Sequence, residues 1–459
     1  MRALRFLLMA AAGSAGPLLV CCSCDGDSPQ GGGSGGSTSD AASDADSSAT
    51  GGAGADAGDA EADQHADGDG WTTTPDAWEP VSWNPPGCQI LRANDVTKAL
   101  PEFGWLDCKN GIVGCVYLDT SRLPGLPNNK GEMLYPAWDV HTTPSGTLFA
   151  LSVIYGKTDR GGALFSLAGP VAAWRSDVVT KCNVNDLVFG EDDLLAVRYS
   201  RIVDAGIISA ALFGSRGEVV DGGGAHVVVD ESVTGNSLAA IARVQLTQST
   251  MAIEMGVSPY VYSWDYSAAK PKVIPRPPDV QEDYGAIVKG SDIVFVRDSS
   301  VASARAFAVR HPDGKVENLF QKPSVWAAFL RSDGDWFAWQ ELSQADGGAV
   351  LEAWKSPFAT TPAGFKPQKL ASIPVAQSFV LAGLAGGWWV YRMSPNTLRA
   401  IRLADGKHLD VPAPTGFGWI NPFGVVDGEL WAQIHLVPGT DNNVYSVARL
   451  PISALGQPQ

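Results

Sequence analysis

Asp139 and His141 stand two residues apart, a spacing that on a β-strand turns both side chains to one face. A carboxylate beside an imidazole is a minimal unit for moving protons or ligating a metal, which makes the pair the candidate acid-base or metal site. The plainer alternative is a hydrogen-bonded polar pair in a wet channel. His226, His311, His408 and His435 are isolated along the chain, and His311 and His408 fall in or beside turn signals, where solvated side chains are expected. The sequence carries no HExxH helix, GxSxG elbow, Walker loop or dinucleotide fingerprint, and it asks for no cofactor and no metal. An enzyme stays open, because active sites assembled from scattered single residues leave no linear trace.

The cysteines carry a second chemistry. Arg2 and Arg5 open the chain, an apolar stretch from Phe6 to Val20 follows, and Gly13, Gly16 and Pro17 interrupt it. That stretch is too short and broken for a stable membrane span and has the layout of a signal peptide over residues 1–24. The Cys21-Cys22-Ser23-Cys24 run after it resembles the lipobox of bacterial lipoproteins. Cys22 keeps the expected leucine at Leu19 but has Cys21 in the small position, whereas Cys24 has the small Ser23 and lacks the leucine. The resemblance implies signal removal, acylation of Cys22 or Cys24, and a lipid anchor at the bacterial outer membrane or cell surface. The alternative is a cleaved secretory signal followed by spare thiols. Cys88, Cys108, Cys115 and Cys182 then belong to an oxidising compartment and suggest two disulfides, with three pairings possible. The short separation of Cys108 and Cys115 favours that pair, leaving Cys88 to join Cys182; a zinc site finds no CxxC among these four.

Residues 25–79 are built from Gly, Ser, Ala and Asp, with thirteen Asp or Glu and no Lys or Arg. Of the net −16, −13 sits here and +2 on the signal arginines, which leaves −5 for the rest. The stretch has too little apolar surface to offset its ordering entropy, so a disordered acidic tether is expected. Asp63, Asp67 and Asp69 lack the loop pattern of a calcium site. The remainder has no basic patch for nucleic acid, and no second membrane segment.

The elements that must position any site come from a repeated phrase of apolar runs and turns. The runs are Leu148–Leu151, Leu194–Val197, Met251–Ile253, Ile293–Val296, Trp336–Trp339, Trp388–Tyr391 and Leu430–Gln433, with a mean period of 47 residues. Turns follow at Ser215-Arg216-Gly217, Asp313-Gly314-Lys315 and Asp405-Gly406-Lys407, which predict hairpins. Continuous apolar runs fit strands buried on both faces. The pattern predicts an all-β fold: a β-propeller over residues 133–459, with seven blades of about four antiparallel strands. Tandem β-sandwiches are the alternative. A Cys-containing lead segment, residues 80–132, is expected to pack on the propeller, with Asn94 capping a short helix through Leu100. The domain resembles seven-bladed propellers of the broad WD-repeat and TolB-like type, without the Gly-His and Trp-Asp signatures of WD repeats. Ser332-Asp333-Gly334-Asp335-Trp336 is similar to the Asp-box of sialidase-type propellers, though its spacing departs from it, and a turn feeding an aromatic strand explains it equally.

Trp326, Trp388, Trp389, Trp419 and Trp431 could stack on sugars, but such rings more often fill the wedge between blades. The function expected is a monomeric binding or scaffold module for an envelope protein or polysaccharide. The alternative is an extracellular glycan hydrolase or lyase, with carboxylates from different blades as acid and base.

Overall fold

The structure is a computed structural model describing residues 78–80, 89–100, 104–109, 111–119, 126–127, 133–134, 137–155, 159–176, 182–203, 206–221, 226–229, 241–256, 260–299, 304–323, 326–345, 348–374, 382–436 and 445–459. Residues 25–77 of the tether, Cys22, Cys24 and Cys88 lie outside the described residues, whereas the last two tether residues, Trp78 and Glu79, were expected to be disordered and instead form part of a strand, with Trp78 buried.

Each recurrent apolar run forms the second strand of an antiparallel sheet, and seven such sheets make a propeller. The innermost strands are Ala137–Thr143, Cys182–Phe189, Ile241–Leu246, Val280–Lys289, Trp326–Ser332, Ala382–Ala385 and Phe417–Val426, in blades 1 to 7. On the second strands Phe149, Leu195, Ile253, Phe295, Trp339, Trp389 and Trp431 are fully buried, because neighbouring blades cover both faces of each sheet. Truncating such an aromatic to alanine costs about 3–5 kcal/mol. Trp419 is also buried, so the wedge role holds for Trp389, Trp419 and Trp431; Trp388 is half-buried, with the Arg402 guanidinium 5.8 Å from its ring centre. The Trp326 side chain lies outside the described residues.

Ring closure uses the lead segment. Blade 7 takes three strands from Phe417–Val426, Glu429–Leu436 and Tyr445–Pro451, and its fourth, Val116–Leu118, comes from the other end of the domain. Tyr117 pairs with Ala448 and Val116 with Arg449, and Ser446 Oγ donates to the Leu118 carbonyl at 2.6 Å. Trp105–Asp107 extends the same sheet, and the Cys108–Cys115 disulfide ties this strand pair together. Two further lead strands, Trp78–Pro80 and Ile90–Ala93, extend the outer edge of blade 1. Between the blades that meet at the seam, Trp105, Phe149 and Trp431 pack with ring centres 5.6 to 6.0 Å apart.

Two local expectations are corrected. Ser215-Arg216-Gly217 is not a tight hairpin turn: it opens a helix, Arg216–Asp221, between the third and fourth strands of blade 2. The cause is a capping box, in which the Glu218 amide donates to Ser215 Oγ at 3.3 Å and the Ser215 amide to Glu218 Oε2 at 2.8 Å. The lead helix is Val96–Ala99, capped by Asp95 rather than Asn94. The Asp95 carboxylate takes hydrogen bonds from the Thr97 hydroxyl and the Lys98 amide, and its charge suits the helix N-terminus. The Asp-Gly turns at Gly314 and Gly406 are hairpins, with φ of 86° and 76°.

Candidate functional site

The innermost strands do not alternate cleanly. A register shift falls directly before Asp139 in blade 1, Asp186 in blade 2, Arg243 in blade 3 and Arg331 in blade 5. A bulge adds a residue on one strand and re-aims the side chains that follow. All four residues thereby line a central cavity of about 690 Å³, to which every blade contributes. That volume lies within the range of small-ligand sites. Blades 6 and 7 meet closely on its other side, where a Cβ at Gly383 would stand 2.3 Å from the Phe423 carbonyl carbon.

Asp139 and His141 share the channel wall, since both follow the bulge and the register runs on from Asp139 opposite Ala150 to His141 opposite Leu148. Burial pushes the Asp139 carboxyl up to about 6, against the Val140 and Phe189 amides and the Arg331 and Arg243 charges that favour ionisation. His141 stacks on Phe189, with ring centres 5.2 Å apart and planes 12° from parallel. Burial lowers its imidazole below the ordinary value, against Asp193 and Asp427. Among the described residues no three His, Cys, Asp or Glu converge as a metal site.

The residues missed by sequence reading are the arginines and their partners. In blade 2, Asp186 on the innermost strand faces Arg198 on the second strand, and two hydrogen bonds of 2.9 and 2.7 Å lock them. Blade 4 repeats the pair as Asp283 and Arg297, at 2.9 and 3.0 Å. Blade 3 inverts it: Arg243 is innermost and Glu254 lies opposite. No hydrogen bond or ion pair joins these two among the described residues, and Glu254 instead accepts the Gly285 amide of blade 4 at 3.0 Å. Among the described residues Arg331 has a single hydrogen bond, to the Leu330 carbonyl at 3.4 Å. Burial and the neighbouring Arg243 push its guanidinium down to about 9, so it stays charged at neutral pH. Burial likewise lowers Arg243, opposed by Glu254, Asp139 and Asp186.

The remaining candidates are structural. Asp333 braces the turn of the Asp-box-like segment, accepting the Trp336 amide at 3.0 Å and, from blade 6, the Gly387 amide at 2.7 Å. His311, expected to be solvated, hydrogen-bonds Asp292 at 2.9 Å and Glu317 at 3.3 Å. Burial pulls its imidazole down, but the two carboxylates outweigh that and raise it. The strand turn brings these carboxylates to it from either side, a pairing that linear spacing conceals. Cys182 is disulfide-bonded.

No family model matches this sequence, and no curated protein matches it. Solved structures do. The β-propeller domain of the Trilobed protease from Pyrococcus furiosus, described as having an open velcro topology, aligns at 11% identity and a TM-score of 0.45, over 70% of this chain and 96% of that one. The Cps50 (Swd1) β-propeller domain of Myceliophteria thermophila aligns at 11% identity and 0.43, over 68% and 95%. The acylaminoacyl peptidase of Pyrococcus horikoshii aligns at 12% identity and 0.41, over 73% and 53%.

Proposed function

We propose that this chain is a binding module of the bacterial cell envelope, a monomer tethered through an acyl group on Cys22 or Cys24, whose propeller channel receives its ligand. The carrying observation is the channel itself: about 690 Å³, walled by all seven blades, with Asp139, Arg243 and Arg331 of blades 1, 3 and 5 among its charged lining residues. A purely structural propeller would gain from filling that axis with apolar side chains, since unpaired charge in a confined space is costly. An envelope polysaccharide or protein is the class of ligand we favour. The test is retention of envelope polysaccharide fractions and envelope proteins on the immobilised full chain, with competition by soluble full chain. Saturable, competable retention supports the reading, and no competable retention from either class defeats it. Intact mass of the membrane-extracted protein tests the anchor: a diacyl or triacyl mass increment on Cys22 or Cys24 supports it, and an unmodified cleaved chain removes it.

One observation favours a second reading, a glycan hydrolase or lyase. A carboxyl held near 6 in a ligand-sized channel suits proton transfer at neutral pH, and Asp139 is such a group. Turnover of retained polysaccharide by the wild-type chain, abolished in Asp139→Asn, would replace the binding reading with this one.

A further inference from the structure

We propose that the channel holds the carboxylate of an acidic saccharide unit, a uronic acid, between the guanidinium groups of Arg243 and Arg331. This inference rests on the channel being a ligand site and adds what it selects.

The geometry that leads there is the inverted pair of blade 3. Blades 2 and 4 place a carboxylate innermost and hold it with an arginine from the adjacent strand, so that both charges are matched within the blade. Inversion puts the arginine innermost, and the Glu254 carboxylate that would mirror the pairing is engaged by the Gly285 amide. Arg331 joins Arg243 in the same cavity, near enough for the two cations to disfavour each other. Among the described residues neither has a carboxylate within ion-pair distance. Two guanidinium groups so placed present planar donor forks, the arrangement that matches a carboxylate or other oxyanion.

The surrounding charges choose among oxyanions. Asp186 is neutralised by Arg198, which leaves Asp139 and Glu254 as the acidic groups acting on the two arginines. With both carboxylates charged the four groups sum to zero, so a dianionic phosphate would leave twice the excess negative charge that a monoanionic carboxylate leaves, and the carboxylate is the favoured oxyanion. Asp139, half-buried beside the arginines, can accept a hydroxyl, which a sugar carries next to its carboxylate. The stacked His141 and Phe189 and the nearby Phe423 offer apolar surface for a pyranose face.

The experiment is calorimetric titration of the full chain at pH 7 with D-glucuronate, D-glucose and inorganic phosphate. Saturable binding of glucuronate is expected, with glucose and phosphate at least tenfold weaker. Arg243→Met and Arg331→Met should each weaken glucuronate at least tenfold, and Arg243→Lys should fall between Met and wild type, because it keeps the charge and loses the fork. Circular dichroism melts confirm that each variant is folded. Should Arg243→Met not fold, the exchange Arg243→Glu with Glu254→Arg restores the order of blades 2 and 4 and should abolish binding in a folded protein. Absence of glucuronate binding, phosphate binding more tightly than glucuronate, or affinity unmoved in the folded arginine variants each overturns the proposal. Retention of envelope polysaccharide alike by wild type and by the Arg243→Met, Arg331→Met double variant would sink the oxyanion site while leaving the broader binding reading standing.

Discussion

Blades 2 and 3 are built on the same plan, with an acid and an arginine facing each other across the first two strands, yet they use the charges differently. In blade 2, Asp186 and Arg198 form a closed, doubly hydrogen-bonded pair, and the guanidinium also donates to the Ile241 carbonyl of blade 3 at 2.6 Å. In blade 3, Arg243 has its acid opposite in register but, among the described residues, not bonded to it, and it lines the channel. The first arrangement staples neighbouring blades. The second leaves a cation available to whatever enters the axis. Reversing the order of two residues along the chain separates a bonded pair that ties two blades together from an arginine that lines the channel without a bonded acid.

That contrast breaks most visibly at the stapled pair. Asp186→Ala leaves Arg198 buried without its carboxylate, and a loss of about 3–5 kcal/mol in urea unfolding is expected. Next comes Asp139, whose raised carboxyl opposes folding once it must ionise. The folded group titrates near 6 and the unfolded one near 3.8, so the folded chain holds the extra proton between those values. Stability therefore falls as pH rises through that window and stays lower above it. Asp139→Asn should gain about 1–3 kcal/mol above pH 6 and nothing below about pH 4, read from unfolding curves across that range. Arg243→Met, in contrast to Asp186→Ala, should shift unfolding by less than about 1 kcal/mol, because no bonded partner is orphaned.

The smallest effect calibrates the scale. His311 sits between Asp292 and Glu317 near the surface, where ion pairs are worth about 0.5 kcal/mol. Its folded value is raised, so that contribution is present below the unfolded value of 6.5 and is lost as pH rises through the folded one. Melts of wild type and His311→Ala between pH 5 and 8 should converge at the alkaline end.

Much of this architecture was legible in the chain, and the reason is burial. The second strands are covered on both faces, so Phe149, Phe295 and Trp431 stand in unbroken apolar runs whose period sets the blade count. Asp139 and His141 were legible as a pair because no bulge separates them. The arginines were not. A bulge resets the face of each innermost strand at the residue that matters, so a period of two cannot say whether Arg243 or Arg331 turns inward. The partnership of Asp186 with Arg198 spans a strand turn, and nothing in a lone arginine marks whether its acid is bonded or merely nearby. Ring closure was hidden for another reason: Val116–Leu118 is short and partly covered, and it finds its partner strand more than 300 residues away.

A pair of double-mutant cycles puts the contrast between the two blades to direct measurement. Asp186→Asn with Arg198→Met in blade 2, and Glu254→Gln with Arg243→Met in blade 3, give the coupling energy of each acid with its facing arginine. We expect about 2 kcal/mol or more in blade 2 and less than about 0.5 kcal/mol in blade 3. Equal coupling in the two blades would mean that Arg243 is committed to Glu254 and has no charge to offer a ligand.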